Sequence, residues 1–325
     1  MCIICNNEYD SSIKILNCKS CKTIKYLPKE LINLEYLNCS MTNISSLPNT
    51  YSKLKYLNIS NCKNIKYIPI TYINLNTLLC NNTNINKISD TLRNLQILNC
   101  ANTKVFKLSN NYSNLINLNC SNCHISILPR VYKKLTYLNC NNNYIYMIPN
   151  TYSKLQILNC SNNKLLFLSY RFKNLVNLNI ANNKIKILPT TFHKLITLNI
   201  NNTKITDIPV TYTNLQILRC YKSNIYRFPL ELSNIQYIYP EILYKYHINY
   251  YIKYLHIHKL PVDLLKNINS NYGNCSICLD DLTSYNYKNI VIINKCKHYF
   301  HKRCLFEWLT KSLNCPNCRK KIVEE

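Results

Sequence analysis

The stretch Leu155-Gln-Ile-Leu158-Asn-Cys160-Ser-Asn-Asn163-Lys-Leu165 decides the fold, because its opening phrase recurs along most of the chain. The phrase L-x-x-L-x-(C/I), in which x is any residue and Ile can replace Leu, recurs twelve times at a period of 20 residues, with 21 in the first and third intervals; the last copy ends in Pro240. The copies start at Ile13, Leu34, Leu54, Leu75, Leu95, Leu115, Leu135, Leu155, Leu175, Leu195, Leu215 and Ile235. A period of this kind predicts a stack of equal units.

Positions within each unit are numbered here from the first residue of the phrase. Positions 1, 4 and 6 are expected to point inward from a short strand, and no unit can bury them alone. Stacking then builds one continuous core behind a parallel sheet. An aromatic residue near position 18 is expected to fill the opposite, convex side; the set is Tyr51, Tyr112, Tyr132, Tyr152, Phe172, Phe192 and Tyr212.

The repeat resembles the leucine-rich repeat in its short variety, whose units end in x-x-(L/I)-P. The matching prolines are Pro48, Pro69, Pro129, Pro149, Pro189, Pro209 and Pro229. The resemblance implies an α/β-type solenoid over residues 13–240, with the parallel β-sheet on its concave face and an irregular or short helical convex side. Residues 1–12 form the predicted N-terminal cap.

The period stops after Pro240, although residues 241–273 stay rich in Tyr, Ile and Leu. We expect a capping or linking segment there, of helical character, with Pro240 and Pro261 in first-turn positions. Gly273 is the only glycine in the chain and marks an expected hinge. A second domain is predicted at 274–320, with 321–325 as a tail.

Eight Cys and His residues are concentrated in that second domain. They read Cys275-x2-Cys278-x17-Cys296-x-His298-x2-His301-x2-Cys304-x10-Cys315-x2-Cys318. Paired C-x2-C turns suit tetrahedral zinc, because both thiolates reach one ion from a tight turn. A module of this length has too small a core to fold alone, so metal binding would supply the folding energy.

The order and spacing of these ligands resemble the two-histidine subtype of the RING finger at all eight positions, whereas the PHD and LIM modules have a different ligand order. The resemblance implies two zinc ions in a cross-brace, in which ligand pairs alternate between the sites. Site one would be Cys275, Cys278, His301 and Cys304. Site two would be Cys296, His298, Cys315 and Cys318.

Four more residues match those with which RING ubiquitin ligases engage a ubiquitin-conjugating enzyme. Ile277, Trp308 and Pro316 resemble the shallow apolar docking patch, and Arg319 resembles the linchpin arginine that bridges conjugating enzyme and ubiquitin. A guanidinium suits that role because its planar fork donates several hydrogen bonds. The alternatives are that Ile277 and Trp308 only pack the small core, and that Arg319 belongs to a solvated basic tail with Lys320 and Lys321.

Cys2, Cys5, Cys18 and Cys21 also have a spacing typical of a zinc ribbon. The repeat register competes with that interpretation, because Cys18 occupies the inward position 6 and Cys21 occupies position 9, as Cys62 and Cys123 do. We therefore expect Cys18 and Cys21 to be small buried residues and leave an N-terminal zinc site as the alternative. His247, His256 and His258 have no partnering cysteines, which argues against a metal site there.

Composition restricts the compartment. The chain opens without the basic start and apolar core of a signal peptide, and no apolar run reaches the roughly 18 residues of a membrane span. Its 19 cysteines then indicate a reducing compartment rather than a disulfide framework. We expect a cytoplasmic protein. The bias toward Asn, Ile, Lys and Tyr is what an AT-rich genome produces, and for a viral or parasitic source the compartment would be the host cytoplasm.

The net charge of +26 raises the alternative of nucleic-acid binding. However, positions 3 and 5, on the exposed side of the strands, are almost uncharged, whereas a phosphate-binding groove would carry Lys and Arg along the ligand's track. The leading hypothesis is a RING-type ubiquitin ligase that binds a conjugating enzyme carrying ubiquitin and selects a protein substrate on the concave repeat face. The alternatives are a non-catalytic scaffold and a basic nucleic-acid-binding protein. A RING dimer is compatible with each.

Overall fold

The computed structural model describes residues 2–6, 9–225, 229, 232, 234–235, 237–239, 262–264, 273–279, 282, 290–293, 296–301, 304–305, 308, 312 and 314–320. Of the predicted cap at 241–273, only residues 262–264 and 273 are described; Pro240, Pro261, His247, His256 and His258 and the tail at 321–325 lie outside the described residues. The boundaries assigned to the domains stay predictions.

Twelve short strands form one parallel sheet, and each strand pairs with its neighbours in chain order. The strands are β1 Ile15–Asn17, β2 Tyr36–Asn38, β3 Tyr56–Asn58, β4 Thr77–Leu79, β5 Ile97–Asn99, β6 Asn117–Asn119, β7 Tyr137–Asn139, β8 Ile157–Asn159, β9 Asn177–Asn179, β10 Thr197–Asn199, β11 Ile217–Arg219 and β12 Tyr237–Tyr239. The register is offset by one whole repeat; Leu138, for example, lies opposite Leu158. The predicted leucine-rich-repeat solenoid is confirmed.

The core follows the predicted positions 1, 4 and 6. In the eighth repeat Leu155, Leu158 and Cys160 are all buried, whereas Ile157 at position 3 is exposed. The cysteines at position 6 form a buried column, which consists of Cys18, Cys39, Cys80, Cys100, Cys120, Cys140, Cys160 and Cys220. Side chains at positions 3 and 5 make up the opposite surface of the sheet, called the sheet face below.

The predicted aromatic residues fill the side of the core away from the sheet and are fully buried. Neighbouring rings stack, as Tyr132 and Tyr152 do at a centroid distance of 6.1 Å. The tyrosine hydroxyls also donate to carbonyls of the preceding repeat: Tyr152 to Pro129 at 2.6 Å and Tyr212 to Pro189 at 2.7 Å. The aromatic residues therefore join neighbouring repeats by packing, and the tyrosines among them also do so by hydrogen bonding.

Position 9 joins neighbouring repeats through their backbone. Cys and Asn side chains at this position donate to the position-6 carbonyl of the preceding repeat, as Cys62 does to Cys39 at 3.0 Å and Cys123 does to Cys100 at 2.9 Å. Thr and Ser side chains at this position donate to the position-6 carbonyl of their own repeat, as Thr83 does to Cys80 at 2.7 Å. Cys21 occupies the same position in the first repeat of this sequence, and its neighbour there is the turn at residues 2–6 instead of another repeat. The prediction that Cys21 is buried is wrong for this reason: its side chain is half-buried and lies beside Cys5.

A second, three-stranded antiparallel sheet has the order β13 Val262–Leu264, β14 Ile290–Ile293 and β15 Tyr299–His301. β13 belongs to the segment in which helical character was expected, and residues 262–264 form a strand instead. Gly273 has a φ of 69°, and its carbonyl accepts the Leu282 amide at 3.0 Å. β14, β15 and their connection position several of the candidate metal ligands.

Candidate zinc centres and docking surface

The first candidate metal site consists of Cys275, Cys278, His301 and Cys304, whose ligand atoms all lie within 4.8 Å of one another. The two leading cysteines share a tight turn, in which the Leu279 amide donates to the Cys275 carbonyl at 2.7 Å. Strand β15 ends at His301 and places its Nδ1 atom 3.3 Å from Cys278 Sγ. Turn and strand thus converge on one point.

The second site consists of Cys296, His298, Cys315 and Cys318, again with all ligand atoms within 4.8 Å. Cys296 and His298 lie between β14 and β15, where the Cys296 amide donates to the Ile293 carbonyl at 3.2 Å. Cys315 and Cys318 share a turn like that of the first site, and the Cys315 Sγ atom is 3.5 Å from His298 Nδ1. The two sites alternate along the chain, which is the arrangement of a cross-brace.

The turns of the two sites share backbone features and are linked directly. Leu279 and Arg319, each following the second cysteine of a C-x2-C pair, have φ values of 68° and 57°. The Ser276 hydroxyl donates to the Asn317 amide oxygen, so the first and last turns are hydrogen-bonded to each other. Sequence analysis missed this pair, because 41 residues separate its members.

The donor set fits zinc. In a tetrahedral site with Zn–S near 2.3 Å and Zn–N near 2.0 Å, sulfur and nitrogen lie about 3.5 Å apart, close to the two observed distances. Burial raises the pKa of Cys296 to about 11 and that of Cys304 to about 12. Both are therefore protonated near neutral pH in the absence of metal, and a bound ion would displace these protons. The two clusters are each compatible with one zinc ion, as the expectation of two zinc ions requires.

The four predicted contact residues are all at least partly accessible. Ile277 and Pro316 are half-buried, and Arg319 is exposed directly after the last ligand. Trp308 is 36% exposed, and its indole Nε1 donates to the Asn314 carbonyl at 2.8 Å. That bond fixes the ring while leaving apolar surface open. Leu279 is 73% exposed and was not predicted; its place after the first ligand pair was the available signal.

The structure also brings Cys2, Cys5 and Cys21 together, with ligand atoms within 4.8 Å of one another. Cys18, the remaining member of the ribbon-like spacing, is 2% exposed in the solenoid core and is not part of the group. The ribbon-like spacing therefore contains the three clustered cysteines and a fourth that lies in the core. No helix in the described residues is long and apolar enough to cross a membrane.

Comparison with known proteins assigns the C-terminal unit. Residues 273–319 match the family described as the Ring finger domain. Over 46 residues the chain is 48% identical to E3 ubiquitin-protein ligase At3g02290 of Arabidopsis thaliana, covering 14% of this chain and 19% of that protein. It is 44% identical over 50 residues to RING-H2 finger protein ATL10 of the same plant, covering 15% and 19%. The chain thus spans about a fifth of these relatives and carries a RING finger of the two-histidine subtype.

The solenoid resembles solved leucine-rich-repeat structures in fold. InlJ of Listeria monocytogenes, whose functional domain includes a cysteine ladder, matches with a TM-score of 0.66 at 23% identity, covering 71% of this chain and 54% of that one. YopM of Yersinia enterocolitica matches with a TM-score of 0.53 at 18% identity, covering 72% and 61%. The solenoid and the C-terminal unit therefore resemble different proteins.

Proposed function

We propose that this chain is a RING-type ubiquitin ligase that docks a ubiquitin-conjugating enzyme through its RING finger and selects a protein substrate through its repeats. The observation that carries the proposal is the pair of alternating Cys/His clusters, flanked by accessible Ile277, Trp308, Pro316 and Arg319. Relatives named as ubiquitin ligases match the same segment. The proposal places the chain in the cytoplasm, a compartment that suits its free cysteines.

The mechanism proposed involves no covalent step on this chain. All six RING cysteines belong to the two clusters and would be zinc ligands. The position-6 cysteines of the solenoid are buried, so they are inaccessible to a thioester. The conjugating enzyme's own cysteine would keep the ubiquitin thioester until a substrate lysine attacks it. This chain would contribute proximity and a fixed orientation of the reactants.

Docking would use the half-exposed apolar side chains around the first and last turns. Trp308 has its polar atom satisfied internally, so its remaining surface is apolar and suited to contact with a partner. Arg319 directly follows the last C-x2-C turn, and it has a left-handed backbone and an exposed side chain. From there its guanidinium would donate to both conjugating enzyme and ubiquitin and restrict the thioester to a reactive conformation.

Substrate selection would use the sheet face. It presents Asn, Tyr and aliphatic groups in rows, with Tyr36 stacked on Tyr56 at 4.2 Å and with Ile97 and Ile157 exposed. Aromatic and aliphatic groups with few charges are typical of the central part of a protein–protein interface. This composition supports a protein substrate over a nucleic acid.

The activity is tested with purified, zinc-loaded chain, activating enzyme, a panel of conjugating enzymes, ubiquitin and ATP. We expect ubiquitin chains with at least one conjugating enzyme. Arg319→Ala should lower the rate at least tenfold without weakening conjugating-enzyme binding, whereas Ile277→Ala should weaken that binding. Lys320→Ala, which removes the adjacent positive charge, is the matched control. Absence of chains with every conjugating enzyme would refute the ligase and favour the non-catalytic scaffold, whereas an unaffected Arg319→Ala variant would exclude Arg319 from the linchpin role.

The role of the sheet face is tested separately. Ile157→Glu places a charge on the sheet face, and Ile187→Glu places the same charge on an exposed residue between β9 and β10. Proteins labelled in cells by a proximity tag on the full chain should be lost with Ile157→Glu and kept with Ile187→Glu, while in vitro chain formation stays equal. Identical labelling by the two variants would contradict substrate selection by this face.

A further inference from the structure

The group of Cys2, Cys5 and Cys21 has the spacing of a metal-thiolate site. Cys5 Sγ lies 3.7 Å from Cys2 Sγ and 3.6 Å from Cys21 Sγ. Two thiolates on one tetrahedral zinc with Zn–S near 2.3 Å are about 3.8 Å apart, whereas a disulfide would hold its sulfurs near 2.05 Å. The distances therefore fit three ligands around a common ion and no disulfide.

The local backbone already has the shape of such a site. The Cys5 amide donates to the Cys2 carbonyl at 2.9 Å, which closes a turn with both thiols on one side. Ile4, between the two cysteines, is 7% exposed and joins the apolar core of the solenoid. Cys21 approaches from the first repeat, in the place where later repeats bond to their predecessor. The turn at residues 2–6 thus contacts the first repeat on the side where later repeats contact the repeat before them.

Polar chemistry around the sulfurs also suits thiolates. The Thr23 hydroxyl oxygen lies 3.3 Å from both Cys5 Sγ and Cys21 Sγ, so it can donate to a negatively charged sulfur. Hydrogen bonds of this kind orient metal ligands and adjust their affinity. All three cysteines are half-buried rather than buried, so an ion can reach them from solvent. Three soft sulfur donors favour zinc over hard cations such as magnesium or calcium.

We propose that Cys2, Cys5 and Cys21 bind a third zinc ion, which ties the N-terminal segment to the first repeat and closes that end of the solenoid. Each bound thiol releases its proton, and water takes the fourth tetrahedral position. Because a solenoid exposes its core at its ends, a terminal unit must cover it. Here the turn at residues 2–6 places Ile4 in the core, and the ion would add a second attachment between that turn and the first repeat. The proposal is independent of the ligase function.

The test is the metal content of the reduced, full-length protein, measured by plasma mass spectrometry for zinc, iron and copper together. Wild type should carry one zinc more per chain than the double variant Cys2→Ser/Cys5→Ser. The difference is the readout, so incomplete loading of the RING finger does not affect it. Cys18→Ala removes a buried core thiol from the same sequence motif and is the matched control; it should keep the wild-type content.

Cobalt replacement gives a second readout that identifies the ligands. Three thiolates from this site and three from each RING cluster would contribute in wild type, so the thiolate-to-cobalt absorption should fall by about a third in the double variant. Equal zinc content and equal cobalt absorption in wild type and double variant would overturn the site. Copper or iron in place of the third zinc would overturn the choice of metal. Absence of ligase activity in wild-type protein that does carry the third zinc would affect only the proposed function.

Discussion

A left-handed backbone residue recurs at position 8 of the repeats, and asparagine fills it most often. Asn102 and Asn142, for example, have φ values of 55° and 52°. Asparagine tolerates this region better than other residues with a Cβ atom, because its short amide can bond locally. The amides also bond to each other across repeats, as Asn102 does to Asn82 at 2.8 Å. A chain with one glycine can therefore make its regular turns.

Met41 is an exception at position 8, with a φ of 61° and a flexible side chain that is 43% exposed. A residue without a local amide pays about 1–2 kcal/mol in this conformation. Met41→Asn should therefore raise the free energy of unfolding by about 1 kcal/mol, as measured by urea denaturation. Met41→Leu is the control and should bring no gain. A gain with leucine would mean that packing, not the backbone, limits this position.

The buried tyrosine hydroxyls give a second residue-scale prediction. Tyr152→Phe leaves the Pro129 carbonyl without its partner, which is bonded at 2.6 Å in a fully buried setting. An unsatisfied buried acceptor costs about 1–3 kcal/mol, so the free energy of unfolding from urea denaturation should fall by about that amount. Tyr170→Phe alters a tyrosine that is 61% exposed and should leave the curve unchanged. Equal curves for wild type and Tyr152→Phe would show that the hydroxyl bond contributes nothing.

Residue-scale roles were only partly predictable. Positions 1, 4 and 6 follow from hydrophobic periodicity, because burial of those side chains requires it. The role of Asn at position 8 was not predicted, since a φ angle leaves no signal in hydrophobicity. Cys21 was misassigned because the repeat register assumes another repeat beside it, whereas its neighbour is the turn at residues 2–6.

At the scale of the element, each repeat contributes one three-residue strand and depends on the two repeats beside it. Leu138 in β7 is buried between the neighbouring leucines of β6 and β8. In such a stack, stability is close to a sum of units and their nearest-neighbour contacts. Loss of packing in one repeat should therefore destabilise that repeat and its two neighbours more than the rest of the sheet.

Leu138→Ala tests that expectation. Removing a fully buried leucine side chain costs about 2–5 kcal/mol. We expect hydrogen exchange to accelerate most in the repeats of β6, β7 and β8 and least in those of β2 and β11. Gln156→Ala, at an exposed position, is the control and should change little. A uniform acceleration over all strands would instead indicate that the solenoid unfolds as a single cooperative unit.

At the scale of the whole molecule, the chain combines two units that are stabilised differently. The solenoid has a large apolar core, whereas the RING finger is organised around eight metal ligands with few buried apolar residues in its described part. Structural zinc supplies on the order of 10 kcal/mol per site to modules of that size. Metal removal should thus unfold the RING finger and leave the solenoid folded.

Treatment with a strong chelator should abolish the folded signals of residues 273–320 and leave most of the parallel sheet intact. Two-dimensional NMR or hydrogen exchange follows both units in one sample, and zinc addition under reducing conditions should restore the RING signals. Calcium-loaded chelator is the control for non-specific effects. Loss of the strands β4 to β9 on chelation would contradict a solenoid held together by its own core.

The architecture at this scale was predictable, since a period of 20 residues and eight ligands at fixed spacing are both visible in the sequence. Strand β13 was not predicted, because three residues give no usable period and their partner β14 lies beyond the predicted domain boundary. The roles of the docking residues and of the sheet face in substrate selection stay predictions, because both roles depend on contacts with a partner protein.

The unbroken parallel sheet makes the solenoid a ruler. Adjacent strands lie about 4.8 Å apart, so the distance from β1 to β12 is on the order of 50 Å. Duplication or loss of one 20-residue repeat changes that length by one strand spacing and leaves the pairing of the remaining strands unchanged. Recombination between repeats can therefore lengthen or shorten the sheet face in steps of one strand, without redesign of either end.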